Sequence, residues 1–291
     1  MQPAPATPSF VTELHTHTVH SDGRLTPTDL LAKCKESGVA VAAITDHDTT
    51  EALDEGMAAA AAHGIELLTG VEISCCEEGR EIHLLGYCFD PAFAPLQAML
   101  NQIRNERVDR TCVMLEKLDT LGYPLEMDDV VAHSGGSVIA RPHIAAALVE
   151  KGYFTSNVEV FERVLYNGGP AYVPKEERSV RDATAMLHRC GGVAVLAHPG
   201  GMVKMREVVR FIGEGLDGIE VYHPAHTRAT SGYYKNFASR YNVVQTGGSD
   251  YHGTRYYDEN NFARYAITAE AIGILKDRSR MIRLNAISAA V

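Results

Sequence analysis

The sequence has no C-x-x-C pair, no apolar run near the roughly 20 residues that a membrane helix needs, and no excess of positive charge. Each absence removes a class of protein. The six cysteines (Cys34, Cys75, Cys76, Cys88, Cys112 and Cys190) follow no disulfide-framework spacing, so reduced thiols in a cytoplasm are expected. Met1–Phe10 is rich in Pro and Ala and lacks the charged and apolar regions of a secretion signal. A net charge of −10 repels a long nucleic-acid polymer, whose binding depends on neutralising phosphates. It does not exclude a short phosphorylated substrate, because bound divalent ions reverse the sign locally. No internal repeat or low-complexity segment stands out.

What is present is an alternation of short apolar runs with amphipathic stretches. Strands are expected at Val39–Ile44, Ile65–Leu68, Ile82–Phe89, Val193–Ala197, Gly218–Tyr222 and Val243–Gln245. Helices are expected at Thr28–Ser37, Thr50–His63, Val180–Cys190, Met205–Glu214 and Gly232–Tyr241. Such alternation argues for an α/β protein with a parallel sheet. The middle of the chain breaks the rhythm. One long helix, Pro95–Leu121, precedes shorter ones at Leu125–His133, Pro142–Lys151 and Val158–Tyr166. The expected organisation is therefore a barrel built from residues 11–90 and 170–291, with a helical insert, 91–169, acting as a lid.

Histidines and carboxylates recur where the apolar runs stop. In a parallel α/β barrel those ends gather on one face, so ligands distant in sequence meet there. His15 and His17 share one side of an extended segment, because side chains alternate with period two. Asp22 follows in a Ser-Asp-Gly turn. Thr45-Asp46-His47-Asp48 ends a strand: Asp46 is a candidate for fixing the His47 tautomer, and Asp48 for capping the next helix. Gly70-Val71-Glu72 reads as a turn and a strand end, with a carboxylate able to bridge two cations. His83 taken singly reads as structural. His198 and His223 are each strand-terminal and followed by Pro, and Asp250 and His252 repeat the spacing that puts two ligands on one side.

Taken in order, these pieces resemble the polymerase and histidinol phosphatase (PHP) family: H-T-H-x4-D at His15, His17 and Asp22; T-D-H at His47; G-V-E at Glu72; I-H at His83; R-P-H at His143; A-H-P at His198; and G-S-D-x-H at Asp250 and His252. The branch most resembled hydrolyses nucleoside 3′,5′-bisphosphates, with relatives that act as 5′-to-3′ exoribonucleases on short RNAs. Many family members carry His where this chain has Asp22, which weakens a histidinol-phosphate-type phosphatase as the alternative. A non-catalytic metal or nucleotide sensor is the other alternative.

The resemblance implies a distorted, TIM-like (β/α)7 barrel and two or three divalent ions, Mn²⁺ first, with Zn²⁺ or Fe²⁺ as substitutes that nitrogen and oxygen ligands also suit. It implies one ion on His15, His17, Glu72 and Asp250, a second on Glu72, His83 and His143, and a third on Asp22, His47 and His252. Glu72 and Asp250 would serve the reaction directly, and His198 is the candidate proton donor. A bisphosphate needs a second anion site, for which Arg141, Lys175, Arg178, His223 and Arg228 are the candidates. The expected partner is a nucleotide or short oligoribonucleotide, with no membrane involved.

Overall fold

The computed structural model describes residues 10–134, 139–201 and 203–289. The Pro/Ala-rich start lies outside them, apart from Phe10. One seven-stranded sheet runs in the order β1 to β7. Its strands are β1 (Val11–Glu13), β2 (Val39–Ile44), β3 (Glu66–Glu77), β4 (Arg80–Tyr87), β5 (Val193–Leu196), β6 (Gly218–Tyr222) and β7 (Val244–Gly247). Beyond β1 and β7, Thr16 bridges Tyr251, and the His17 N–H donates to the Tyr251 carbonyl at 2.9 Å, which closes the sheet on itself.

The expected all-parallel sheet is corrected at one strand. β1–β2–β3 and β5–β6–β7 are parallel, whereas β4 is antiparallel to both of its neighbours. The cause is local. Glu78 and Gly79, at φ 52° and 71°, turn the chain straight back, and two residues at positive φ make a hairpin turn. β3 is also longer than expected and runs through Gly70 and Glu72 instead of ending before them. Gly70 is no turn: a Cβ there would come 2.4 Å from the Ile44 carbonyl oxygen, so the glycine marks the close approach of β2.

Helices α1 (Pro27–Glu36), α2 (Leu53–His63), α7 (Val180–Arg189), α8 (Met205–Gly213), α9 (Arg228–Tyr241) and α11 (Ala269–Ala289) belong with the sheet, with a single short turn, α10 (Asp258–Asn261), before the last. The central segment contains α3 (Ala94–Thr120), α4 (Met127–Ser134), α5 (Arg141–Glu150) and α6 (Asn157–Val160), the last continuing into a π-turn. α3 spans two cores. Leu96, Leu100 and Ile103 pack with the apolar side chains of the sheet. Met114 and Leu118 instead join Val130, Ile144, Leu148 and Leu165 in a separate cluster.

Candidate metal centre

The strand ends deliver their side chains to one point. His15 and His17 follow β1, His47 follows β2, His198 follows β5, His223 follows β6, and Asp250 and His252 follow β7. β4 enters from the opposite direction, so His83, near its start, lies level with the ends of the parallel strands. Ser74 is its cross-strand partner.

Glu72, fully buried in β3, occupies the middle. Its Oε2 lies 3.1 Å from His15 Nε2 and 3.2 Å from both His17 Nε2 and His47 Nδ1. Its Oε1 lies 2.9 Å from His83 Nδ1 and 3.0 Å from His198 Nε2. Asp250 Oδ1 closes one group, 3.3 Å from His15 Nε2 and 3.1 Å from His17 Nε2. A second group surrounds Asp22, whose oxygens lie 3.1 Å from His252 Nε2 and 3.8 Å from His47 Nε2.

These donors fit cations. Nitrogen and oxygen ligands about 2.1 Å from one ion sit roughly 3 Å from each other. The buried Nδ1 atoms of His47 and His83 make no hydrogen bond, although Glu72 is this close, so their lone pairs are left for another partner. Burial disfavours charge on His17 and His83, yet the surrounding carboxylates carry their pKa values up to about 9 and about 10. Burial would likewise raise Glu72, but His47, His15 and His83 hold it well below its usual range. The cluster thus calls for positive charge, which divalent ions supply.

Tautomers are set from behind. His15 Nδ1 donates to Glu220 Oε1 at 2.9 Å, so in the neutral ring the lone pair is on Nε2, 3.1 Å from Glu72 Oε2. His252 Nδ1 donates to the Asp250 carbonyl at 2.8 Å and leaves its own Nε2 free toward Asp22. Glu220 also accepts the His198 N–H at 2.7 Å, which holds that residue at φ 24°. Two rings are set the other way. The Nδ1 atoms of His143 and His223 accept backbone N–H groups from Ala140 (3.1 Å) and Ala225 (3.0 Å), so the neutral rings carry hydrogen on Nε2.

Two of the clefts that border the centre differ in character. One, of about 320 Å³, is lined by Asp22, His47 and His83 together with Arg107, Arg110, Arg141 and Lys175. The other, of about 800 Å³, is lined by His198, His223 and Asp250 together with Arg255, Tyr256 and Tyr257.

A PHP domain model matches residues 13–151. A 5′-3′ exoribonuclease of Haemophilus influenzae is 35% identical over 245 residues, 82% of this chain and 89% of that one. The chain belongs to the PHP domain family. A 3′,5′-nucleoside bisphosphate phosphatase of Chromobacterium violaceum, also 35% identical, aligns over 82% of this chain and 86% of its own. The crystal structure of a candidate metal-dependent phosphoesterase from Bifidobacterium adolescentis superposes with a TM-score of 0.79 at 31% identity, covering 94% of this chain and 97% of that one.

Within this PHP domain, the site residues expected from sequence divide into three sets. His15, His17, Asp22, His47, Glu72, His83, Asp250 and His252 come together in ligand-sized groups. His198 is in none of those groups, but its Nε2 lies 3.0 Å from Glu72 Oε1. His143 joins none of the groups found among the described residues, and its free nitrogen is an N–H, which suits an anion. Of the anion-site candidates, Arg141 and Lys175 line the smaller cleft and His223 the larger. Arg178 pairs with Glu106 at 3.0 Å and lines an adjoining pocket that shares Arg107, Arg110 and Lys175 with the smaller cleft, and Arg228 is an exposed residue at the start of α9.

Asp46 does not touch His47: it accepts from Thr18 and Ser21 and shapes the loop that carries Asp22. Asp48 does not cap α2 but binds Ser74 and Arg107. Sequence reasoning missed Glu220, Arg107, Arg110 and Arg255. The signal for Glu220 was a lone carboxylate inside the apolar strand Gly218–Tyr222. For the arginines it was the three-residue spacing of Arg104, Arg107 and Arg110, which puts them on one face of a helix.

Proposed function

We propose that this protein is a metal-dependent phosphoesterase that removes the 3′-phosphate from nucleoside 3′,5′-bisphosphates and trims short 5′-phosphorylated RNA from its 5′ end. The observation that carries the reading is the adjacency of two features. Glu72 sits within 2.9–3.2 Å of five imidazoles, and the cleft beside it is lined by Arg107, Arg110, Arg141 and Lys175 as well as by Asp22 and Glu81. The first suits a scissile phosphate held through metal ions, and the second suits another phosphate one nucleoside away.

We assign the ligands as His15, His17, Glu72 and Asp250; Glu72, His83 and His198; and Asp22, His47 and His252. Mn²⁺ is the preferred metal. When bound, such ions lower the pKa of water toward ~7 and neutralise phosphoryl oxygens. The chain's own groups do the rest. Among the described residues, neither Arg110 nor Arg141 has a carboxylate partner. Arg110 donates to the Val173 carbonyl and Arg141 to Leu165 and Asn167, which aims both guanidiniums without neutralising them. They bind the 5′-phosphate, with Lys175, which also pairs with Glu81, on the same wall and His143 near Asp22 and Arg107. The His223 Nε2–H is the hydrogen-bond donor to the leaving 3′-oxygen, which takes its proton from water. Its Nε2 is buried, has no hydrogen-bond partner and lies 3.6 Å from Asp250 Oδ2.

In this reading residues 91–169 form an insert that carries the anion wall. All six cysteines are free, which fits a reducing cytoplasm. Among the described residues no helix is long and apolar enough to cross a membrane. The test is release of inorganic phosphate with Mn²⁺ from adenosine 3′,5′-bisphosphate, compared with 3′-AMP and 5′-AMP. The reading expects the bisphosphate to be favoured at least tenfold in kcat/KM. Equal rates on all three would remove the second anion site, and tight binding without turnover would favour a sensor.

A further inference from the structure

Beyond the rim formed by His198, His223 and Asp250, the larger cleft has no role in hydrolysing a bisphosphate. With the scissile phosphate at the metal ligands and the nucleoside 5′-phosphate in the cationic cleft, the substrate is fully housed. The two clefts share no lining residue, and the second, at about 800 Å³, has room for a nucleotide. Its wall is unlike the first. Arg255 Nη1 donates to Asp250 Oδ2 at 2.8 Å, and Nη2 lies 3.4 Å from His252 Nε2, so the guanidinium stands where the ligand groups meet the cleft. Beyond it, Tyr256 is 94% exposed and packs edge-on to Tyr257 with ring centroids 5.1 Å apart. An aromatic ring this exposed, beside an arginine and a phosphate-sized centre, offers a flat face to a base.

From this geometry we infer that the cleft after β7 is the subsite for the nucleotide that follows the scissile phosphate, and that Tyr256 and Arg255 determine the use of phosphodiesters as substrates. The inference rests on the phosphoesterase reading above. In a diester the phosphorus bears both the O3′ of the first nucleotide and the O5′ of the next. Water adds to phosphorus, the P–O3′ bond breaks, and O3′ takes a proton. The products are a nucleoside 5′-phosphate and a chain shortened by one residue that keeps a 5′-phosphate. That retained chain needs a place on the far side of the centre from the cationic cleft. Tyr256 stacks on its first base, and Arg255 holds the retained phosphate by the N–H groups it does not spend on Asp250.

The experiment uses the full chain with Mn²⁺ and two substrates that both carry a 5′-phosphate: adenosine 3′,5′-bisphosphate and the 5′-phosphorylated dinucleotide pApA. The wild type is expected to hydrolyse both. Tyr256→Ala should lower kcat/KM for the dinucleotide about tenfold relative to the bisphosphate, and Tyr256→Phe should restore the ratio. Arg141→Ala should lower both substrates by similar factors. A ratio unmoved by Tyr256→Ala overturns the subsite and leaves the phosphoesterase reading intact; hydrolysis of the bisphosphate alone by the wild type overturns the subsite and the RNA-trimming half of that reading, and leaves its bisphosphate half. No turnover of either substrate by the wild type overturns both.

Discussion

His83 and His198 converge on one atom: Nδ1 of the first lies 2.9 Å and Nε2 of the second 3.0 Å from Glu72 Oε1. They reach it because β4 runs antiparallel to β5, which places the start of one strand beside the end of the other. His198→Ala should therefore lose about one metal equivalent per chain and cut kcat/KM at least 100-fold. His143→Ala should keep its metal and raise KM instead. Metal analysis of the two purified variants separates these outcomes, and loss of metal from His143→Ala would restore that residue to the ligand set.

Glu220 holds both His15 Nδ1 and the His198 N–H. A carboxylate behind a metal-bound imidazole fixes its tautomer and raises its basicity, and removing it typically costs 10–100-fold in affinity or activity. Glu220→Gln should shift the Mn²⁺ concentration for half-maximal activity upward by about that factor, with activity recovering at saturating metal. An unshifted titration would show that Glu220 is only a packing residue.

Gly248 packs against the segment that bears the metal ligands. A Cβ there would come 2.4 Å from His15 Cβ and 2.5 Å from its backbone nitrogen. Gly248→Ala must push His15 off its position, so stability should fall by about 1–3 kcal/mol, the usual cost of overpacking. Denaturant unfolding of the metal-free protein measures this directly. Activity should fall with it.

Arg107 joins α3 to the loop that holds His47. It donates to Asp48 Oδ2 at 2.7 Å, and Asp48 is fully buried at φ 55° with a second anchor on the Ser74 N–H. Arg107→Met leaves that carboxylate without its cation, which costs about 3–5 kcal/mol for a buried pair. Asp48→Asn with Arg107→Met should recover part of the loss. A stability change under 1 kcal/mol in the single variant would mean that water already screens the pair.

Most of the scaffold could be read from periodicity. β2 and β6 match their expected bounds, and α1, α7 and α8 match to within about one residue, because each is a short run between clear stop signals. β4 was misread in direction because alternation of strands and helices implies parallel pairing, and the Glu78-Gly79 hairpin was not weighed. The ligand residues were legible as motifs, and their gathering follows from strand ends meeting on one face. The tautomers were not. Whether His15 and His143 present a lone pair or an N–H depends on which carboxylate or backbone amide stands behind each ring, and that is a tertiary fact. Arg255, Tyr256 and Tyr257 escaped for a related reason: only the fold shows that the loop after β7 faces a cleft.

In the proposed function, divalent ions held around Glu72 drive phosphate release. The most direct measurement strips the protein with chelator and titrates Mn²⁺ back. Bound metal and phosphate release from adenosine 3′,5′-bisphosphate are followed on the same sample. Activity should be absent without metal and should rise only as two or more equivalents bind. Turnover by the metal-free chain, or full metal occupancy with no phosphate released, would contradict it.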